Sequence, residues 1–411
     1  MTYPIALTVS FDFSSGPNFD PPFQIGFSQI GISTMGAGGT GSQVVDLTSQ
    51  TTSISIRRGR DLLQDRFNPG LCTIRVIDQT GEWNPQDPTG PYFGLLQPLR
   101  KLRIVGGYLG VDYPLFAGYT TSYNYTYPKN EEFGYIDIQA TDAFTLFNKS
   151  AIDTVAGSTA GDTTGDRINQ ILDTIGFPAS QRNIDTGDIT VQDDPGGVRS
   201  VLRALQDVEF TELGAVYMDA RGDVVFRERT DAIDTLAGTP TVFDQSTGIS
   251  YKDLKFAFDD KLVFNVANFQ RVGGTMQTVS DQTSIDTYFP RAITQTNLLH
   301  ENDAATLDLA KAYIASRKTT DIRIDAMTLD LTTPNYQAGI EAALGLDFFD
   351  TVQVSNNQPG GSTLTKTLQI FGVNHQITPR TWNTTFTTGD PLITGFIIGN
   401  AQYGIIGVSN L

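Results

Sequence analysis

The sequence predicts a mainly β protein with α+β insertions: two β modules, each a barrel or small sandwich, plus helix-containing mixed segments. Three observations predict it. Apolar and polar residues alternate at period two over most of the chain between turn signals, as half-buried strands do. Three segments switch to helical spacing. One strand–loop–strand arrangement occurs twice.

Taken in order, residues 1–50 read as an irregular Gly/Pro-rich arm, with the run Gly36-Ala37-Gly38-Gly39-Thr40-Gly41 as its hinge. Residues 51–148 read as the first barrel, with strands at Thr73–Ile77, Leu102–Val105 and Tyr135–Ile138. The abundant threonine suits a pleated, half-solvated surface. Residues 149–242 read as an α+β domain. Ile168, Ile171, Leu172 and Ile175 sit at i, i+3, i+4 and i+7 and stop at Gly176 and Pro178, a helical stripe with a normal ending. Val198, Val201, Leu202, Leu205 and Val208 repeat the stripe after the turn Asp193-Asp194-Pro195-Gly196, and a hairpin centres on Arg221-Gly222-Asp223.

Residues 243–390 return to strands, at Ile322–Ile324, Val352–Val354 and Leu368–Phe371, as a second barrel interrupted by a helix over about 302–318. That helix places Leu307, Ala310 and Ile314 on one face, and Asp303 near its start and Arg317 and Lys318 near its end complement the macrodipole. Residues 391–411 are apolar but broken by Asn400, Gln402, Asn410 and several glycines. A membrane span wants about 20 apolar residues in a row, so this segment is expected to be a docking tail or a Gly-rich strand pair. The start, MTYPIALTVS, carries no basic n-region, so no signal peptide is expected, and the chain reads as soluble and made in a cytoplasm.

The two β regions echo each other. Leu99–Val105, a loop and Leu115-Phe116-Ala117-Gly118-Tyr119 lead into a Tyr/Thr-rich strand. Phe349–Val354, the loop Ser355–Ser362 and Gln369-Ile370-Phe371-Gly372-Val373 lead into Trp382–Thr388. This is the pattern of an internal duplication.

Composition narrows the chemistry. Forty-five acids against 28 bases leave the 411 residues at −17, too acidic to grip nucleic acid by neutralising phosphates. The 39% hydrophobic content is that of a folded chain. One cysteine, Cys72, excludes an internal disulfide framework, and two histidines, His300 and His375, leave little for an imidazole-based metal site or triad. The Gly36–Gly41 run lacks the Gly-Lys-Ser/Thr of a phosphate loop, the nearest lysine being Lys101. The pairs Asp193-Asp194 and Asp259-Asp260 are candidates for a hard cation or a paired-carboxylate site, against chance adjacency in an acidic chain. Trp83 and Trp382 are expected in the core rather than at an interface hot spot.

Arg57-Arg58-Gly59-Arg60, followed by Asp61, Asp65 and Arg66, is more telling. Either it is a solvated turn with local ion pairs, or its guanidinium forks anchor a neighbouring subunit's carboxylates. Arg57, Arg58, Arg60, Asp65 and Arg66 are the candidate subunit-interface residues. No catalytic, cofactor-binding or metal residue is expected.

Several motifs together resemble a known family. Arg57–Arg60, Asp65-Arg66-Phe67-Asn68-Pro69-Gly70, Thr73–Val76 and Trp83-Asn84-Pro85 resemble the opening of minor tail proteins of long-tailed bacteriophages. Leu115–Gly118, Ile138–Ala143, the helix before Gly176, the helix Val198–Val208 and Gly222–Phe226 are similar to the central tail-tip hub family, which includes the late control protein D type. Asp281–Phe289 resembles that family's Asp…Ser-Ile…Tyr-Gly signature, with Phe289 in place of the glycine; Gly372–Trp382 resembles its closing strand pair.

The resemblance implies a structural virion protein, not an enzyme: a trimer whose chains each give two tail-tube-like β-barrels, so that six barrels meet a sixfold ring. It implies a distal tail protein ring, a tape measure protein and other tail-tip or fibre proteins as partners, with genomic DNA passing through the lumen at ejection. Two equivalent modules per chain independently allow a threefold ring to mimic sixfold symmetry. The alternatives are a hexameric distal tail ring, a tail-tip peptidoglycan hydrolase and a glycan-binding receptor protein.

Overall fold

A computed structural model describes residues 4–13, 44–63, 65–129, 133–230, 239–332 and 337–390. The Gly36–Gly41 run and the 391–411 tail lie outside them. Strand outweighs helix by 44% to 18%, so the mainly β expectation holds.

The first half is built from β1 (Ala6–Asp12), β2 (Val44–Asp46), β3 (Thr51–Asp61), β4 (Arg66–Asp78), β5 (Lys101–Tyr108), β6 (Val111–Thr126) and β7 (Gly134–Thr141), then helix α1 (Phe144–Lys149). Alternation sets the buried face: Ile54 and Ile56 of β3, Ile74 and Val76 of β4, and Ile136 and Ile138 of β7 all point into the core. Truncating any one of these isoleucines to alanine would cost about 2–5 kcal/mol.

The middle segment holds β8 (Ala151–Ile152), β9 (Asp162–Thr163), α2 (Thr164–Thr174), β10 (Arg182–Ile184), β11 (Thr190–Val191), β12 (Arg199–Ser200), α3 (Val201–Glu212), β13 (Ala215–Met218) and β14 (Val224–Arg227). Thr163 and Asp166 form a capping box on α2, and Ile168, Ile171 and Leu172 are buried as the stripe requires. Ser200 caps α3, so the helix starts at Val201 and leaves Val198 79% exposed outside the stripe. In the hairpin, Asp219 accepts from the Arg221 and Asp223 amides, and Gly222 takes φ 93°.

The second half contains β15 (Thr241–Phe243), β16 (Asp253–Ala257), β17 (Val266–Arg271), β18 (Gln277–Ser280), α4 (Gln282–Tyr288), β19 (Ala292–Leu298), α5 (Asp303–Arg317), β20 (Arg323–Asp330), α6 (Gln337–Gly345), β21 (Thr351–Asn357), β22 (Thr363–Ile377) and β23 (Trp382–Gly389). Asn302 caps α5; the buried face is Thr306, Leu309, Ala310, Tyr313 and Ile314, with Leu307 only half-buried. Strands β18-β17-β19 form a separate small sheet. It packs with α5 around Phe210, Phe269 and Tyr313, apart from the main core.

The remaining strands of both halves make one 13-stranded sheet. Within it, β3-β4-β7-β6-β5 in the first half and β16-β20-β23-β22-β21 in the second have the same order, antiparallel throughout. Register agrees too. Lys101 faces Tyr119 as Thr351 faces Gln369. Thr121 is the extra residue of a bulge between β6 and β7, and Phe371 holds the same place between β22 and β23. The twin of Gly118 is therefore Leu368, so the sequence echo is shifted by four residues in its second strand. The halves diverge at the next strand: β1 runs antiparallel to β5, whereas β15 runs parallel to β21.

The two closed barrels expected from sequence are not formed among the described residues. The sheet runs open from β16 to β2, because the strand edges that would close the first unit on itself are taken elsewhere. β3 pairs with β22 of the other half, and β5 pairs with β1.

Candidate assembly interface

The two halves meet along the antiparallel seam β3–β22, from Ile54 opposite Ile377 to Gly59 opposite Gly372. Glycine is required at this crossing: a Cβ on Gly59 would lie 2.8 Å from the Gly372 Cα and 2.9 Å from the Phe371 carbonyl oxygen. That places the middle of the Arg57–Arg60 motif at a tight crossing between the two halves of the sheet.

Strand alternation then divides the arginines. Arg57 is exposed, whereas Arg58 is buried and donates from Nη2 to Asp347 Oδ1 at 2.9 Å, its guanidinium 4.9 Å above the Phe348 ring. Arg60 donates to the Asp65 carbonyl at 3.2 Å and lies over Phe67 and Phe371. Asp65, buried and in the left-handed region at φ 51°, accepts from the Tyr313 hydroxyl at 2.9 Å and pairs with Arg317. Arg66 opens β4 opposite Asp61. Arg58, Arg60 and Asp65 thus tie β3, α5 and the approach to β21 together inside one chain. Arg60 and Asp65 also make a local ion pair at 3.8 Å, as the turn reading expects, but the pair is buried rather than solvated.

The other candidates are accounted for locally. Asp259 accepts from Arg323 at 2.8 Å, which holds its carboxyl down at about 2, and Asp260 pairs with Arg291. Asp193 accepts from Ser158 at 3.1 Å, and Asp194 pairs with Arg199. Burial drives His375 down to about 3 and His300 to about 4. His375 Nδ1 sits 3.0 Å from Thr384 Oγ1 and accepts from Trp382 Nε1 at 3.5 Å; His300 Nδ1 sits 3.2 Å from Thr306 Oγ1. Cys72 is buried, which pushes its thiol up. Trp83 and Trp382 are both core residues. No group of three or more metal-ligating side chains occurs, and no helix is long and apolar enough to cross a membrane, among the described residues.

A cleft of about 220 Å³ beside the seam is lined by Arg60, Asp65, Arg317, Asp321, Arg323 and Phe371 among others. Burial pushes the Asp321 carboxyl up, but the hydrogen bonds from Lys366 and the Ile322 amide and the Lys366 charge together outweigh it and hold the group below its ordinary range. A hydrolytic general acid needs the opposite displacement.

Sequence reasoning missed the exposed aromatics at two strand edges: Phe256 (41%) and Phe258 (71%) at β16, and Tyr127 (56%) just past β6. The signal was in the sequence only as ordinary strand alternation.

Across its length the fold is similar to that of a tail protein from Neisseria meningitidis MC58, at TM-score 0.58 and 12% identity, with 94% of this chain and 97% of that chain covered. It is similar to the 43 kDa tail protein of prophage MuSo2 from Shewanella oneidensis, at 0.54 and 13%, covering 85% and 94%. A structure described as a lidless PdpA–VgrG complex matches at 0.51 and 12%, covering 94% of this chain and 65% of that one. No family model and no curated protein matches the sequence. The chain shares the fold of these tail and VgrG proteins.

Proposed function

We propose that this is a structural protein of a phage tail tip: a trimeric hub that adapts a sixfold tail to a threefold tip and lines the channel through which DNA leaves. One observation carries the reading. A single five-strand unit occurs twice per chain, joined edge to edge, in a fold matched by tail proteins over most of its length. Three chains bring six such units to a ring, and a threefold assembly then offers sixfold contacts.

On this reading residues 51–148 and 243–390 are the two tube-like units and 149–242 the α+β domain beside them. A distal tail ring, a tape measure protein and tip or fibre proteins are the partners. Arg57, the exposed member of the arginine motif, is the one left to meet a neighbouring subunit, while Arg58, Arg60 and Asp65 serve contacts inside the chain and Arg66 stands in the β3–β4 ladder opposite Asp61. The net charge of −17 lets duplex DNA slide past rather than bind. The role is non-enzymatic.

Copy number in an assembled tail tests the proposal. Three copies support a hub. Six would make the protein a ring component, and a single copy that degrades cell wall in zymography would make it a hydrolase.

A further inference from the structure

Two of the open stretches of sheet edge among the described residues hold matching places in the repeat. β22 is shared by three strands: β23 along one edge, and on the other β21 as far as Gln369 and then β3 from Gly372 to Ile377. β6 begins in the same way. β7 takes one edge and β5 the other as far as Tyr119, but from Ser122 to Thr126 no described strand fills the place that β3 fills on β22. The twin of β3 is β16, which pairs with β20 on one side and with no described strand on the other. One half lacks a strand where the other half has one to offer.

Their chemistry fits the same occupant. Proteins blunt bare edges with proline, charged side chains such as lysine, bulges or cover; β16 carries the exposed charges Asp253 and Lys255, whereas Ser122–Thr126 carries none. Neither Asp253–Ala257 nor Ser122–Thr126 contains proline, and Phe256, Phe258 and Tyr127 stand out in solvent beside them.

We infer that β16 of one copy of this chain pairs antiparallel with residues 122–127 of a second copy, repeating between chains the seam that β3 makes with β22 within one. Register follows from the internal seam, where Ile54 faces Ile377 and Ser55 faces Gln376. Through the ladders to β4 and β20, and to β7 and β23, the twins of Ile54 and Ser55 are Leu254 and Lys255, and those of Ile377 and Gln376 are Tyr127 and Thr126. Lys255 therefore faces Thr126 across the interface, and Leu254 faces Tyr127. The contact joins two different surfaces, so it is head-to-tail and propagates until a ring closes. It rests on the tail-tip reading only for the number of copies in that ring.

Two single-site chains, Lys255→Cys and Thr126→Cys, test the pairing with buried Cys72 left in place. Facing residues of an antiparallel pair lie about 4.5–5.5 Å apart at Cα, inside the roughly 4.4–6.8 Å range of a disulfide. Mixed under mild oxidation, the two chains are expected to give a reducible covalent dimer, and a chain carrying both changes a ladder ending in a closed band. Adding Phe256→Asp to the Lys255→Cys chain should cut dimer yield at least tenfold with an unchanged melting midpoint. No dimer, a bond within one chain, or equal capture of a control thiol at Gln277→Cys would overturn the inference. Three copies in an assembled tail without the Lys255–Thr126 cross-link would overturn the pairing and leave the hub reading standing. The cross-link with a different copy number would do the reverse.

Discussion

Leu99 and Phe349 share one backbone state at twin positions. Both are left-handed, at φ 64° and 68°. Leu99 donates its amide to the Thr120 carbonyl, and Phe349 donates to that of Ile370. The return bonds match as well, Thr120 to Arg100 and Ile370 to Asp350. Neither leucine nor phenylalanine favours this conformation, so the duplicated backbone is kept at the same cost in both halves.

Comparing two truncations of Leu99 isolates that cost. Leu99→Ala and Leu99→Gly lose the same contacts to within one methyl, but glycine accepts φ 64° freely. The glycine variant should be more stable than the alanine variant by about 1 kcal/mol, the reverse of their order at an ordinary strand position. Denaturant midpoints of the two variants measure it.

The ion pair between Arg58 and Asp347 should prove lopsided. Asp347→Ala strands a buried guanidinium, whereas Arg58→Met leaves a carboxylate that is 35% exposed and can hydrate. The first change should cost about 2–4 kcal/mol and the second clearly less. Hydrogen exchange at residues 54–59 and 372–377 should speed up with Asp347→Ala before it does elsewhere.

Phe289 occupies a conformation that belongs to glycine. It closes α4 at φ 65° and ψ 159° with its ring 80% exposed, a region costing a side chain of order 1–3 kcal/mol. Phe289→Gly should therefore raise stability by about 1 kcal/mol after the extra chain entropy of glycine. A lowered melting midpoint would contradict it.

Glu209 and the two histidines should shape the pH profile from opposite sides. Burial raises Glu209 to about 8 in the folded chain, against about 4.3 for an unfolded glutamate. The unfolded state then binds fewer protons, and this contribution, whole below about pH 4.5, is lost as pH rises towards 8. His375 and His300 are lowered by burial to about 3 and 4, so theirs is whole above about pH 6.5 and is lost as pH falls below it. Glu209→Gln keeps the acceptor for the Val216 amide, now at 3.1 Å. Its melting midpoint should gain on the parent chain steadily from pH 5 to 8 and share its acid limb.

Much of the architecture was legible because it rests on periodicity. Strands at Thr73–Ile77, Leu102–Val105 and Val352–Val354 and the stripe of α2 lie where alternation and helical spacing put them. The duplication was legible as order but not as register, since matching Gly118 to Gly372 followed side chains where the repeat is kept by hydrogen bonds. The left-handed residues that fix the true alignment are Leu99 and Phe349, which do not announce themselves. Barrel closure was illegible for a related reason: which edge a strand edge chooses depends on partners hundreds of residues away. The arginine motif was seen, but only the alternation of β3 and the Gly59–Gly372 crossing decide that Arg58 turns inward and Arg57 outward.

The seam also has a history in time. Gln376 donates to Ser55, 321 positions earlier in the chain, so a ribosome must make β22 before β3 can meet its outer neighbour. Until then the nascent first half carries one raw flank, and non-local pairing of this kind is slow and prone to sticking. Yield of active material should thus depend on growth temperature and chaperone supply more than the stability of the finished molecule would imply.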